Sequence, residues 1–257
     1  MAGATDFRNA CTAAVALGAI ALTMTGPALA ASACSFEPQG EGRVSAIIDA
    51  RTFRMDDGRE VRLAGIETVA DRAAALGALV AGRDVSLRGA TDAPDRYGRQ
   101  PAFVFVEQAP VQHQLLAQGD ALASSAIADK ACATELLAAE AAARQARRGI
   151  WADSAAIKNA ESAGELLARI GQFTVVEGKV LSVRQAGATT YLNFGRRWTR
   201  DFAVTISKRV WPAFEAAGFS VKSLENKRIR VRGWIEARGG PRIEALRVGQ
   251  IEWAGEN

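Results

Sequence analysis

Asp49, Arg51, Arg62 and Glu67 are four of the nine charged residues in the stretch Ile47 to Ala70, IIDARTFRMDDGREVRLAGIETVA, and they flank or leave its central turn. A planar guanidinium suits gripping two oxygens of an anion such as phosphate, and a carboxylate beside it serves as an ion partner or a cation ligand. Thr52–Met55 and Glu60–Leu63 read as two strands around Asp56-Asp57-Gly58, because Asp-Gly between such runs is a hairpin signal and Gly58 accepts the positive φ of the turn. The second strand runs into Gly65-Ile66-Glu67-Thr68, which sets a carboxylate at its mouth.

The elements that must hold these residues follow in order. A strand opens at Gly42-Arg43-Val44 and leads into the hairpin. Asp71 to Ala81 has Leu76, Leu79 and Val80 at helical spacing and stops at Gly82. Asp84 to Arg88 alternates like a half-buried strand, the polar turn Asp95-Arg96-Tyr97-Gly98-Arg99 leads to a strand Ala102–Val106, and Val111 to Ala117 is a helix capped by Gly119. Ala131 to Arg148 is a long helix, ended by Gly149 and sealed by Ile150-Trp151. That order predicts a small five-stranded barrel with helices packed on it.

The 257 residues suffice for one or two domains, and 49% hydrophobic with 23% charged residues is ordinary globular composition. The formal net charge of +4 is unevenly spread: from Ile170 onward there are 15 Lys and Arg against 8 Asp and Glu. That third of the chain is suited to nucleic acid or another acidic surface, or simply to a solubilising face. At the N-terminus, Arg8 precedes the apolar run Ala13–Met24, a Thr25-Gly26-Pro27 break and Ala28-Leu29-Ala30, the pattern of an export signal cleaved after Ala30. The run is shorter than the roughly 20 residues of an ordinary membrane span, so no stable span is expected in the mature form. Ala31-Ser32-Ala33-Cys34 is a poor site for lipoprotein anchoring. The expected location is periplasmic or secreted. Cys34 and Cys132 are then an even pair in an oxidising compartment, consistent with one disulfide or with two unpaired thiols. Two cysteines and His113 do not make a structural zinc site, and His113 reads as an exposed helix residue.

Four pieces in order carry a resemblance: Asp49-x-x-Thr52, Val61-Arg62-Leu63-x-Gly65-Ile66-Glu67, Asp95-Arg96-Tyr97-Gly98-Arg99, and Ala143-Arg144-x-x-x-Arg148-Gly149-Ile150-Trp151. Over about Gly42 to Ala152 the chain resembles the staphylococcal nuclease (thermonuclease) family. The resemblance implies an OB-fold barrel and, in the family's active members, a Ca²⁺-dependent phosphodiesterase acting on single-stranded DNA and RNA. Arg62 and Arg99 match the two arginines that hold the scissile phosphate. Glu67 fills the position of a carboxylate Ca²⁺ ligand, and Thr68 that of a carbonyl ligand. Two positions depart: the metal-binding Asp before Thr52 is Arg51, and the general-base Glu is Ala70, with Val69 in place of the usual Pro. Asp49 and Asp71 are displaced carboxylates that offer only indirect rescue. Arg51, Arg62 and Arg99, with Glu67 as partner, remain as a phosphate-binding pocket or as an ion-pair network that only supports the barrel.

After Ala152 to Gly171, read as a linker or bridging helix, the pattern changes to short strands. These are Phe173–Val176 running into Gly178–Arg184, Thr190–Gly195, Phe202–Ile206, Arg228–Ile235, and Ile243–Ala245 with Gln250–Trp253, and one helix, Val210–Ala217, sits between the third and fourth. This suggests a second OB-type barrel, and Gly178-x-Val180, Tyr191-x-Asn193-Phe194-Gly195 and Val231-Arg232-Gly233-x-Ile235 look like bacterial OB-fold nucleic-acid-binding modules. An OB groove pairs stacking aromatics with cations along the phosphates. Tyr191, Arg196, Arg197, Trp198, Arg230 and Arg232 are the candidates, with Phe194 and Arg242 beside them, and Phe202 and Trp211 are assigned to the core.

The expectation is a mainly β, α+β chain: a signal peptide (1–30), an N-terminal segment (31–41), a thermonuclease-like barrel (42–152), a linker (153–171) and an OB-like barrel (172–254). The function expected is binding of nucleic acid or another polyanion by an exported protein with a degenerate catalytic site, needing Ca²⁺ only if active. The alternatives are an active Ca²⁺-dependent nuclease and an envelope structural or interaction protein.

Overall fold

Strand β1 (Glu37–Asp49) is long enough to serve two sides of a barrel in the computed structural model, which describes residues 1–3, 32–34, 36–68, 72–124 and 127–255. The expected export signal, beyond its first three residues, and Val69, Ala70 and Asp71 lie outside the described residues. β1 is followed by β2 (Thr52–Met55), β3 (Glu60–Leu63), β4 (Ile66–Glu67), α1 (Ala73–Val80), β5 (Asp84–Gly89), β6 (Gln100–Val106), β7 (Ala109–Pro110), α2 (Val111–Gln118), β8 (Leu122–Ala123) and α3 (Lys130–Gln145). The first half of β1 pairs antiparallel with β5 and the second half with β2, with bulges that let one strand turn the corner. β2 and β3 form the expected hairpin, Thr52 opposite Arg62, with Gly58 at φ +88° in the turn. β3 pairs parallel with β6, and β6 antiparallel with β5, which closes the five-stranded ring.

Alternation explains the interior. Phe53, Val61, Leu63, Leu87 and Val104 point inward and are essentially fully buried, while Arg54, Glu60 and Arg62 point outward between them. α1, α2 and α3 cover the barrel with Leu76, Val80, Leu115, Leu116 and Leu136. Gly119 ends α2 in the left-handed conformation, φ +76°. Asp129 caps α3 by accepting from the Cys132 N–H. Cys132, in that first turn, is bonded to Cys34, closing a separation of 98 residues. A loop of that size gives about 4 kcal/mol in the chain-entropy account.

The second barrel begins earlier than the sequence suggests. After two 3₁₀ turns (Gly149–Ala152 and Ser154–Ala156) come β9 (Ile157–Asn159), α4 (Ala163–Leu167), β10 (Phe173–Lys179), β11 (Ser182–Ala186), β12 (Thr189–Asn193), β13 (Ala203–Ser207), α5 (Trp211–Ala216), α6 (Val221–Leu224), β14 (Arg228–Trp234), β15 (Glu236–Ala237), β16 (Pro241–Glu244) and β17 (Ile251–Trp253). The segment read as a linker or bridging helix does hold a helix, α4, and adds a strand: β9 pairs parallel with β10, and Ala160 and Leu166 enter the core. Two sheets, β17-β14-β10-β9 and β11-β12-β13-β16-β15, are joined where β10 runs on to β11 and β14 on to β15. β13 and β16 pair parallel, as β3 and β6 do in the first barrel. Two helices, not one, separate β13 from β14, because Gly218 at φ +88° ends α5 and Ser220 caps a new turn.

Phe202 and Trp211 are core residues, as expected. Phe194 is core too, 3% exposed and packed on Phe202 at 5.1 Å between centroids, which withdraws it as a stacking platform.

The barrels meet along α3. Leu122, Ala143 and Trp151 of the first pack with Phe173 and Val175 of the second, so Trp151 seals an interface and not merely a helix end. Beside them lies the largest departure from the sequence reading. Arg232, expected on a nucleic-acid surface, is 1% exposed. It donates to Glu140 of α3 through two bonds, 2.8 and 2.9 Å, to the Ala123 carbonyl at 3.1 Å and to Glu252 of β17. Arg230 pairs with Glu177 at 2.7 Å and reaches Glu252 at 3.6 Å. The cations of β14 do share one face, as alternation requires, and each is paired with a carboxylate: Arg228 and Arg230 with the partly buried Glu177, and Arg232 with the buried Glu140.

Candidate functional site

Two places collect the chemistry-bearing residues. The first is the mouth of the first barrel. The turn from β1 into β2 carries Asp49 and Arg51, the Asp49 carboxylate accepting from the Arg51 N–H at 2.8 Å. The Arg51 side chain reaches β4, where it forms a close ion pair with Glu67 and donates to the Ile66 carbonyl at 3.1 Å. Both side chains of the pair are mostly buried, 13% and 14% exposed. Burial pushes the Glu67 carboxyl up, and the hydrogen bond and charge of Arg51 pull against it without cancelling it. Arg62 stands on β3 and makes no ion pair among the described residues. Arg99 is held by Asp95 through two bonds of 3.0 and 2.7 Å, which raises its affinity for its proton, with a further pull from Asp49. Thr68 follows β4, partly buried. Tyr97 was not singled out from the sequence. It is 64% exposed, with the guanidinium carbons of Arg96 and Arg99 at 4.7 and 4.9 Å from its ring centre. Its place between two arginines in the Asp95–Arg99 turn was the available signal.

The second place is a groove of about 840 Å³ on the β11-β12-β13-β16-β15 sheet. Tyr191, Arg196 and Trp198, three of the expected residues, line it. Trp198 is 69% exposed on the loop after β12. That loop is pinned by Asp201, whose carboxylate accepts from the Arg197 N–H at 2.7 Å and packs so closely on Gly195 that a Cβ there would collide with it. Arg197 is exposed beside the groove and does not line it; Arg230 and Arg232 lie elsewhere, in the interface. Arg184 of β11 and Arg238 of the β15–β16 turn line the groove and were missed. Alternation with Val183 gave a signal for Arg184, whereas Arg238 comes in only through the hairpin fold-back. Arg242, named beside the expected set, also lines it and donates to Glu236 at 3.2 Å. Among the described residues, Arg184, Arg196 and Arg238 have no ion pair.

Comparison with known proteins agrees with the first barrel's architecture. Residues 61–153 match the family model described as staphylococcal nuclease homologue, a span holding Arg62, Glu67 and Arg99 and beginning after Arg51. The match covers most of the first barrel, which is similar over that span to the staphylococcal nuclease homologues. No curated protein matches the chain.

Proposed function

We propose that this is an exported protein that binds single-stranded nucleic acid, or a polyanion of similar charge, in the groove of its second barrel. Its first barrel retains an anion-holding mouth with little or no phosphodiesterase activity. The observation that carries the reading is the groove itself, where Tyr191 and Trp198 stand among guanidiniums that lack ion partners. Bases stack on such aromatics without regard to sequence, and the cations follow the phosphates. The location is proposed from the N-terminal pattern alone, and the disulfide suits an oxidising compartment.

The donor set at the first mouth does not fit the calcium that the family implies. Calcium takes six to eight oxygens, several from carboxylates. Here the Glu67 carboxylate is engaged by Arg51, and among the described residues no group of three or more acidic, His or Cys side chains converges. No hydrolytic step is therefore derived through it.

The test is incubation of the purified protein with labelled single-stranded DNA and RNA, in Ca²⁺ and in EDTA, read on gels for both cutting and mobility shift. The expected result is a shift that weakens steeply as salt rises, no cutting, and loss of the shift in Trp198→Ala. Calcium-dependent cutting abolished by Arg62→Ala would instead establish an active nuclease. Neither cutting nor shift would leave the barrels as scaffold for another partner.

A further inference from the structure

The misfit at the first mouth carries one inference more, which rests on the reading that this mouth holds an anion. Strand β4 offers two oxygens there, the Ile66 carbonyl and the Glu67 carboxylate, and both are taken by a single nitrogen, Nη1 of Arg51. Arg51 is itself fixed from two sides. Its N–H donates to Asp49, and its carbonyl accepts from the Leu63 N–H at 2.8 Å. Nη2 and Nε of Arg51 make no hydrogen bond among the described residues. The next residue, Thr52, is 1% exposed, and its hydroxyl has no partner among the described residues. Across the hairpin from Thr52 stands Arg62, with no ion pair among the described residues. A buried hydroxyl without a partner, opposite an unpaired guanidinium, points to an oxygen-rich ligand.

We infer that Arg51 takes the place of the divalent ion, as a cation built into the chain. One nitrogen holds the oxygens of β4, and the other N–H groups, with Arg62 and the Thr52 hydroxyl, face the oxygens of a phosphate group. The site binds a phosphate-type anion with no divalent metal. A guanidinium keeps its charge at every physiological pH and cannot be removed by a chelator. It supplies donors in place of open coordination positions, which suits holding a phosphate more than activating water against it.

Titration calorimetry on the full chain tests this, with two probes, inorganic phosphate and the dinucleotide TpT, each in EDTA and in Ca²⁺. Free phosphate and a nucleic-acid backbone share the chemistry, and the probe that binds more tightly identifies the source. The expected result is a dissociation constant unchanged between EDTA and Ca²⁺, weakened about tenfold or more in Arg62→Ala. Arg209→Ala, an exposed cation outside both the mouth and the groove, should leave it unchanged. Arg51→Asp, which returns a second carboxylate beside Glu67, should lose metal-free binding and gain heat on addition of Ca²⁺ alone; if it does not fold, Arg51→Gln should still lose metal-free binding. Uptake of Ca²⁺ by the unmodified protein, a tenfold gain in affinity with Ca²⁺, binding that survives Arg62→Ala, or no binding of either probe would each overturn the inference. Oligonucleotide binding lost in Trp198→Ala with these results intact concerns the groove alone, so the two readings fail separately.

Discussion

Both barrels hold a parallel strand pair, β3 with β6 and β13 with β16, yet most cations at their two candidate sites are engaged differently. In the first, Arg51 is paired with Glu67 and Arg99 with Asp95. In the second, Arg184, Arg196 and Arg238 ring an open groove without ion partners among the described residues. A paired cation such as Arg51 has part of its guanidinium committed to internal geometry, whereas an unpaired one near aromatics keeps all its donors for a ligand. The difference also shows why a count of arginines on a strand is a poor guide to a binding surface. β14 has the densest run of them, and it faces the partner barrel.

The strongest way to break the comparison is to separate the barrels. Arg232→Ala leaves Glu140, whose side chain is fully buried, with Arg144 as its one remaining ion partner among the described residues, and should cost about 3–5 kcal/mol in chemical denaturation, while Arg232→Met should cost less. Unfolding should then lose its single transition if the barrels part. Replacing Cys34 and Cys132 by serine should cost about 2–4 kcal/mol, read by the same denaturation. This change strains only the first barrel, so oligonucleotide binding at temperatures where the protein remains folded should be unaffected.

Two smaller effects sharpen the contrast. Trp198→Ala should weaken single-stranded oligonucleotide binding by about 1–3 kcal/mol, and Arg196→Ala should lower the slope of log affinity against log salt by about one. The equivalent salt slope should be unmoved by Arg230→Ala, whose guanidinium is engaged with Glu177 and Glu252. The smallest effect concerns pH. Burial works against the charge of Glu252, but Arg232, Arg144 and Arg230 outweigh it and hold its carboxyl below the ordinary value of 4.5. A folded-state value below the unfolded one gives stability that is present at neutral pH and lost as pH falls through the depressed value. Melting temperature should therefore drop on acidification, and Glu252→Gln, less stable at neutral pH, should show a shallower drop.

Much of this was legible in the chain. The Asp56–Gly58 hairpin, the Gly119 cap, the α3 helix, the Cys34–Cys132 pairing and the order of the first barrel's strands rest on local signals: turn chemistry, caps and period. Trp198 and Arg196 were legible as groove residues because they lie in one short polar loop between strands. In the bridge the helical Glu165–Leu167 was legible, whereas Ile157–Asn159 is too short for alternation to show and becomes a strand only when β10 offers it an edge. Phe194 was misread because an aromatic in an OB-like phrase is the same residue whether it points in or out.

By itself, then, the sequence determined the local elements and the two-barrel order. Those depend on residue type and on spacings of a few positions. Only the tertiary structure decided that Arg51 is spent on Glu67 and Ile66, that Arg232 is an interior ion joining β14 to α3 across 92 residues, and that Arg238 completes the groove. A guanidinium's role is set by which carboxylate the fold brings within reach and by how much water remains around it, and neither is written in its neighbours along the chain.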